Sequence, residues 1–189
     1  KHPEESSDAY QPRPLASDWS VAANNIMADH AEIHSINHTL VAQDIPVLLI
    51  AVKKDRPGHV RSLHRQLAQR PEMGGIKMVL YVEHTVNPND LSTALWRFCN
   101  NLDPKRDSEL VRIDGADGFR YDACLGLDGT RKTKEFDGFQ RDWPNIIVAN
   151  DETIRSVDVK WESLGIGPFI QSPSLKFKGQ MRSEEHTSE

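Results

Sequence analysis

The chain contains 189 residues with a formal net charge of −5, from 23 Lys and Arg against 28 Asp and Glu. This acidic balance argues against a general nucleic-acid binder, whose surface needs excess positive charge to neutralise phosphates. No apolar run approaches the roughly 20 residues that span a bilayer, so the sequence predicts no integral membrane segment. It predicts no signal peptide either. The two cysteines are expected to be reduced thiols of a cytoplasmic protein rather than a disulfide.

The two ends of the chain are expected to lie outside the folded domain. Residues 1–18 contain three prolines and no periodicity, which is typical of a connector taken from a longer chain. Residues 171–189 are polar, and we expect them to be flexible. Within them, Arg182–Glu189 resembles the translation of a sequencing-library adapter, so this stretch is expected to be an artefact. The folded domain is therefore predicted over residues 19–170.

The first predicted element is a helix from Trp19 to about Glu32. Ser17 or Asp18 could cap its amino end. Its apolar positions fall on one face, namely Trp19, Ala22, Ala23, Ile26 and Met27. The next segment, Ile33–Val41, could form a short strand.

The stretch from Ile45 to Asp107 has the strongest pattern in the chain. Ile45–Val52 and Lys77–Val82 are apolar runs, as expected of strands buried on both faces of a parallel sheet. Apolar residues recur at helical spacing after each run, as Val60, Leu63, Leu67 and Ala68, then as Leu91, Leu95, Phe98 and Leu102. This alternation indicates an α/β fold, a three-layer domain with a mostly parallel sheet flanked by helices.

The second half of the chain has a weaker pattern. Glu109–Ile113 is predicted to be a third strand and Cys124–Leu127 a short one, with a turn-rich stretch at 114–121 between them. Asp128–Pro144 is charged and lacks periodicity, so we predict a long surface excursion there.

A last helix is predicted to be capped by Asp151 and ended by Gly165. Its apolar face consists of Ile154, Val157, Trp161 and Leu164. Because Trp161 lies on that face, we expect it to be buried, either against the sheet or in a contact between subunits.

Histidines recur at the spacing that would line one helix face. His30, His34 and His38 could hold zinc if a single helix carried all three. The predicted end of the helix near Glu32 would scatter these side chains. The pattern therefore favours histidines at the surface or at a helix end.

Two further polar pairs follow the predicted strands. Lys53 and Lys54 stand where open α/β sheets bind phosphate, but the loop lacks the glycines of a phosphate-binding loop. Glu83 and His84 could do acid–base work, but neighbours on a strand point to opposite faces. For both pairs an ordinary structural role is favoured.

The string Leu125–Lys132 (LGLDGTRK) admits two interpretations. Its glycines, with Arg131 and Lys132, suit an anionic ligand or an acidic partner surface. Asp128 and Gly129 are equally an ordinary turn. No nucleophile elbow, Cys-x-x-Cys pair or Walker motif occurs. The residues themselves indicate an α/β domain and leave its function open.

Several strings recur in an order and spacing that resemble a known family. They are AYQPRP (Ala9–Pro14, with an arginine at Arg13), AVKKDRPGHVR (Ala51–Arg61), KMVLYVEH with VNPNDLSTALWRF (77–98), NLDPKRD (Asn101–Asp107), LGLDGTRK (Leu125–Lys132) and the helix of Trp161 with Leu164-Gly165-Ile166. Taken together, from about Asp8 to Ile170, they resemble the C-terminal region of the UbiD-type decarboxylases.

The resemblance implies a non-oxidative, reversible carboxy-lyase acting on aromatic or α,β-unsaturated carboxylic acids. Examples are 4-hydroxybenzoate-type or naphthoate-type precursors in ubiquinone or menaquinone biosynthesis. It implies prenylated FMN as cofactor, with a divalent metal (Mn or Mg) and K⁺, bound mainly by a domain upstream. Because that domain also supplies the catalytic residues, the resemblance assigns no catalytic residue and no metal ligand to this chain. We expect the 189-residue chain alone to be inactive.

The resemblance also implies roles for a few residues of this chain. Arg70 stands near the place of a basic residue that contacts the flavin phosphate. Phe119 and Tyr121 are candidates for the substrate pocket. The Ile154–Leu164 helix is expected to contact other subunits in a homodimer or larger oligomer, and the domain is expected to close the pocket.

A second hypothesis comes from another class of protein. The chain could be a stand-alone, non-catalytic α/β module for ligand binding or assembly. The coding sequence upstream of Lys1 discriminates between the two. A long continuing open reading frame supports the decarboxylase, whereas a nearby start codon supports the module.

We predict that removing Arg182–Glu189 leaves the melting temperature of the chain unchanged. This stretch has no apolar side chain to bury and therefore nothing to contribute to a core. Thermal unfolding of the chain with and without these residues checks the prediction, and a clear drop on truncation would contradict it.

Overall fold

The computed structural model describes residues 13–114, 121–140 and 146–180. The chain divides into two compact units, 1–142 and 143–189. In chain order, the first unit contains α1 (Trp19–Asp29), β1 (Ile33–Asn37), β2 (Val47–Val52), α2 (His59–Gln69), β3 (Met78–Glu83), α3 (Leu91–Asn101), α4 (Pro104–Asp107), β4 (Ser108–Asp114), β5 (Tyr121–Asp128) and α5 (Lys134–Asp137). Short 3-10 turns lie at Val41–Gln43 and Pro71–Met73.

The described strands form one five-stranded sheet in the order β1-β2-β3-β5-β4. The three central strands, β2, β3 and β5, are parallel, and the two edge strands pair antiparallel to their neighbours. The predicted α/β fold with a mostly parallel sheet is therefore confirmed. The chain reaches the edge strand β4 first and returns through β5, which lies between β3 and β4.

Side chains of the central strands alternate between two apolar layers, as the pleat of a strand requires. On one face Leu48, Ile50 and Val52 pack with residues of α1 and α2, including Ile26 and Leu63. On the other face β2 and β3 meet α3 in a second cluster, formed by Leu49, Ala51, Leu80, Val82, Val86, Ala94 and Phe98. The sheet is thus buried between helices on both faces, which explains why its strands were visible as apolar runs.

The predicted helices of this unit form, and two of them begin at an aspartate cap. The Asp18 side chain accepts hydrogen bonds from the backbone amides of Ser20 and Val21, so it caps α1 as predicted. Asp90 does the same for α3 through the amide of Thr93. Each carboxylate satisfies amides that have no partner inside the helix.

Strand β5 is longer than predicted, since it covers Tyr121–Asp128 rather than Cys124–Leu127. Asp122, Gly126 and Asp128 reduce the strand propensity of this sequence. Asp122 is nevertheless buried, because Lys77 donates a hydrogen bond to it at 2.8 Å. Backbone pairing with β3 on one side and β4 on the other holds β5 in place despite these residues.

The second unit contains α6 (Asp151–Leu164) and a 3-10 segment at Pro173–Gln180. The amino end of α6 is capped by Asn150 rather than by the predicted Asp151, because the Asn150 side chain accepts a hydrogen bond from the Thr153 amide at 2.7 Å. Asp151 is the first helical residue and pairs with Lys178. Gly165 ends the helix in the left-handed conformation, with φ of 61°, as predicted.

Trp161 is only half-buried within this second unit. Its indole nitrogen donates to the carbonyl oxygens of Gly167 and Pro168 at 3.0 and 3.1 Å, and its ring meets Phe169 edge-on. None of the side chains of α6 is buried. Burial of Trp161 in a contact between subunits therefore stays a prediction. Within the described residues, the helices are too short or too polar to traverse a bilayer.

We predict that Gly126→Ala destabilises the first unit. A Cβ at this position in β5 would lie 2.5 Å from the ring of His64 on α2, closer than packed atoms approach. Overpacking of this kind typically costs about 1–3 kcal/mol. Chemical denaturation should show the loss, while the control Gly179→Ala, whose Cβ would meet nothing within 4 Å, should not. Equal stability of the two variants would mean that α2 and β5 are not packed as described.

Candidate functional site

Three of the strings singled out in the sequence come together at the carboxyl end of the parallel strands. Lys54 follows β2, Asp107 ends α4, and Asp128 ends β5. They surround a cavity of about 250 Å³ that also contacts the start of α2 at Gly58. The other lining residues are His59, Val60, Arg61, His64, Tyr81, Arg106, Glu109, Gly126, Phe136 and Asp137. This edge is where open α/β sheets ordinarily bind ligands.

A buried lysine joins two of these elements. The side chain of Lys132 is 1% exposed, and its Nζ lies 3.2 Å from an Asp107 carboxylate oxygen and 3.3 Å from one of Asp128. Nζ also donates to the Asp128 carbonyl oxygen at 2.8 Å. A buried ammonium is tolerated only when it is paired and hydrogen-bonded in this way. Lys132 therefore ties the end of β5 to α4.

Asp107 is held in its ionised form by its neighbours. Burial alone would raise the pKa of this carboxyl, but hydrogen bonds from Arg106, the Asp103 amide and Lys132 outweigh the burial and hold the pKa below its usual range. Its charge is thus present at neutral pH and compensates both cations beside it.

Lys54 and Asp137, which both line the cavity, form a second ion pair. Lys54 Nζ lies 2.8 Å from both carboxylate oxygens of Asp137. The Thr133 amide donates to the same carboxylate at 2.7 Å. The pair therefore fastens the short helix α5 to the end of β2.

A neutral histidine and a tyrosine lie deeper in the cavity wall. His64 Nε2 lies 3.1 Å from the carbonyl oxygen of Cys124, and Nδ1 lies 2.9 Å from the Tyr81 hydroxyl. Since a carbonyl only accepts, Nε2 carries the proton and Nδ1 accepts from Tyr81. Burial lowers the pKa of His64, so the imidazole is neutral at pH 7. The Cys124 carbonyl thus fixes the tautomer of His64, and His64 in turn fixes the direction of the Tyr81 hydroxyl proton.

The cavity wall is polar, but the ion pairs described above compensate its charges. Besides Lys54 and Lys132, Arg61 pairs with Glu109 at 3.2 Å and Arg106 with Asp107 at 2.6 Å. Among residues 13–114, 121–140 and 146–180, no group of three or more His, Cys, Asp and Glu side chains could hold a metal ion. The geometry therefore supports a rigid ion-paired framework around a small polar space.

Comparison with known proteins assigns this domain to a family. Residues 21–132, more than half of the chain, match the family described as the 3-octaprenyl-4-hydroxybenzoate carboxy-lyase C-terminal domain, UbiD_C. The chain belongs to this UbiD family. The resemblance stated from the sequence is thereby confirmed.

Relatives of this UbiD domain are longer proteins. It is 26% identical over 142 residues to a protein of Archaeoglobus fulgidus and 31% identical over 123 residues to one of Aquifex aeolicus. These alignments cover 71% and 62% of this chain but 29% and 25% of the relatives. The chain thus spans roughly a quarter of the length of these proteins.

Two solved structures share the fold. The vanillic acid decarboxylase of Sedimentibacter hydroxybenzoicus in closed form aligns with a TM-score of 0.55 at 14% identity, over 77% of this chain and 31% of that one. The UbiD-class enzyme HmfF from Pelotomaculum thermopropionicum, in complex with FMN, aligns with a TM-score of 0.53 at 18% identity, over 74% and 32%. At these identities the likeness is one of fold.

Arg70, to which the family resemblance implied a cofactor role, does not line the cavity. Arg70 follows α2, and its guanidinium contacts Asp29 at 2.7 Å and Glu72 at 2.9 Å. The hydrogen bonds that Arg70 donates, first to Glu72 and then to Asp29, raise the pKa of Arg70. Phe119 lies outside the described residues, and of Tyr121 only the backbone, at the start of β5, is described. A role for these residues in the UbiD reaction stays a prediction.

The three histidines of the sequence pattern have separate surroundings in this UbiD domain. His30 lies 3.5 Å from Glu32, the His34 ring faces His84 at a centroid distance of 5.0 Å, and the His38 ring lies beside Trp19. The helix α1 ends at Asp29, before the first of them. The interruption of the helix separates the side chains, as expected from the sequence.

Glu83 and His84 also have separate partners. The Glu83 carboxylate binds Arg97 on α3, whereas His84 lies against His34. Neither His64 nor Tyr81 stands out as a functional residue in the sequence. Tyr81 is one residue of an apolar strand, and only the packing of α2 on β3 gives its hydroxyl a polar partner, His64.

We predict that Lys132→Met lowers the free energy of unfolding of this UbiD domain by about 3–5 kcal/mol, because it removes the buried cation that compensates Asp128 and that shares Asp107 with Arg106. The matched control is Lys178→Met, which removes a shorter ion pair, 2.7 Å, between side chains that are more than half exposed. Denaturant unfolding should separate the two variants clearly. Equal effects would show that Lys132 is solvated and does not hold β5 to α4.

Proposed function

We propose that the chain is the C-terminal part of a reversible, non-oxidative decarboxylase of aromatic or α,β-unsaturated carboxylic acids. A 4-hydroxybenzoate-type or naphthoate-type quinone precursor is the proposed substrate class. The observation that supports this is the match of residues 21–132 to the UbiD C-terminal family. A fold shared with the vanillic acid decarboxylase is consistent with it.

The proposed cofactor is prenylated FMN with a divalent metal, Mn or Mg, and K⁺. The described residues of this chain do not by themselves build a site for that group. They contain no metal-ligating cluster of three side chains, and the Arg70 guanidinium is already paired with two carboxylates. We therefore assign cofactor binding and catalysis mainly to the rest of the full-length protein, and we derive no chemical step from this chain.

The proposed role of this domain is to close the substrate pocket and to hold subunits together. Helix α6 and the segment after it border an apolar cavity of about 390 Å³, lined by residues such as Ile154, Val157, Trp161 and Ile170. Val157 and Ile170 are 42% and 62% exposed. Exposed apolar side chains along one face are typical of a surface that a partner covers. A homodimer or larger oligomer formed through the Ile154–Leu164 helix is therefore part of the proposal.

The proposal predicts activity for the full-length protein and none for the 189-residue chain. The full-length protein, extended by the natural coding sequence upstream of Lys1 and loaded with prenylated FMN, should release CO2 from at least one acid of a panel. The panel contains 4-hydroxybenzoate, a hydroxynaphthoate and cinnamate. The same protein loaded with unmodified FMN is the control and should be inactive.

Two results would contradict the proposal. Turnover by the 189-residue chain alone would place catalytic groups within it. A start codon close to Lys1, together with an inert folded product, would favour a stand-alone binding or assembly module.

A further inference from the structure

The amino end of the sheet contains a side-chain cluster that the proposed function does not use. The guanidinium of Arg13 donates from Nη2 to the Ala68 carbonyl at 2.9 Å and from Nη1 to the Arg70 carbonyl at 3.0 Å. Its Nε donates to the carboxylate of Asp122 at 3.2 Å. Three separate donors of one side chain thus find three acceptors, which come from the end of α2 and the start of β5.

The two carbonyl acceptors lie at the carboxyl end of α2. The last carbonyl groups of a helix have no partner within the helix, and they form the negative end of its dipole. A cation there is stabilised by both effects. A guanidinium also presents its N–H groups in a planar fork, so it can reach two carbonyls and a carboxylate together, whereas an ammonium has no such fixed plane.

The third acceptor, Asp122, is built into the sheet. It is 3% exposed and also accepts hydrogen bonds from Lys77 Nζ at 2.8 Å and the Gly75 amide at 3.3 Å. Burial would raise the pKa of its carboxyl, but the hydrogen bonds from Lys77, Gly75 and Arg13 outweigh burial and hold the pKa below its usual range. The Asp122 carboxylate that accepts from Arg13 is therefore charged and held in place by three partners.

The connector backbone lies directly on the loop that follows α2. A Cβ at Gly74 would lie 2.6 Å from the carbonyl oxygen of Pro14, and one at Gly75 would lie 2.9 Å from that of Arg13. Leu15 packs against the apolar core on the α1 and α2 side of the sheet. Because Gly74 and Gly75 have no side chains, residues 13–15 can pass this close to the loop.

We propose that the carbonyls of Ala68 and Arg70 and the carboxylate of Asp122 form a receptor for a guanidinium group. By binding Arg13, this receptor fixes the point at which the preceding chain joins the domain. Arg13 is then a positioning residue rather than a catalytic one. The connector predicted from residues 1–18 is, from Arg13 onward, a docked segment of the domain.

The consequence for catalysis rests on the proposed function. If the flavin and the catalytic groups precede this chain, the Arg13 receptor sets how this domain meets them. A misplacement of about 1 Å can cost on the order of 100-fold in rate. Loss of the contact should therefore lower kcat in the full-length enzyme and change the substrate KM much less, because the substrate-binding groups themselves remain.

Chemical rescue tests the receptor on the 189-residue chain without reference to any activity. Arg13→Ala should lower the melting temperature, and methylguanidinium at about 10 mM should restore part of the loss by binding the emptied receptor. Methylammonium at the same concentration should not. The matched control is Arg65→Ala, which removes an exposed pair of Arg65 with Glu109 at 2.6 Å and should show no rescue.

A second measurement covers the case in which Arg13→Ala fails to fold. In the unaltered chain, the Arg13 Nε–H should give a slowly exchanging ¹H–¹⁵N signal, and Asp122→Asn should speed its exchange at least tenfold. The Arg65 signal should not change. Rapid exchange of Arg13 Nε–H in the unaltered chain, or equal rescue of both alanine variants, would overturn the receptor.

The positioning role is tested separately in the full-length enzyme. Arg13→Ala should lower kcat, and methylguanidinium should recover it in part, whereas Arg65→Ala should leave kcat unchanged. Unchanged kcat in Arg13→Ala would overturn the positioning role and leave the receptor established. If the unaltered full-length protein decarboxylates no acid, the proposed function fails, while the rescue and exchange measurements still decide whether the receptor exists.

Discussion

Lys132 places a positive charge where only 1% of its surface is exposed, and the carboxyl end of the sheet depends on the carboxylates that compensate it. Asp107 comes from α4 and Asp128 from the end of β5, so one ammonium joins two segments that hydrophobic packing alone would not align. An uncompensated ion in this position would cost several kcal/mol, comparable with the whole stability of a domain. The neighbouring turn and α5 are then fastened by the Lys54–Asp137 pair.

The start of β5, at the opposite end of the sheet, is also held by charge pairing. Asp122 stands near the start of β5 and is compensated by Lys77 and Arg13. Strand β5 is therefore fixed at both ends by charged groups, and in its middle Gly126 admits the ring of His64. A shift of register by one residue would turn Asp122 and Asp128 to the other face of the sheet. Charge pairing thus helps to specify the position of a strand that contains Asp122, Gly126 and Asp128.

The sequence predicted those parts of the fold whose pattern is local. Strands β2 and β3 and helices α2 and α3 show apolar periodicity, and Asp18 is adjacent to the helix that it caps. The extent of β5 was missed because its stability depends on distant residues, 109 positions away for the contact of Asp122 with Arg13 and 45 for that with Lys77. The pairing of His64 with Tyr81 likewise depends on a glycine in another element. The sequence does not reveal contacts of this kind, because an isolated charged or polar residue is ordinarily expected at the surface.

The sequence strings that resemble the family contain residues that form ion pairs in this structure. Lys54, Asp107, Asp128 and Lys132 all belong to such strings, and they meet in ion pairs around one cavity. Because those pairs neutralise each other, they provide rigidity rather than an unpaired charge that would attract a carboxylate substrate. Arg13, from the first of the strings, binds the other end of the same sheet. In the described part of this domain, the strings shared with the family therefore supply contacts that keep a charged sheet folded and hold residues 13–15 against it.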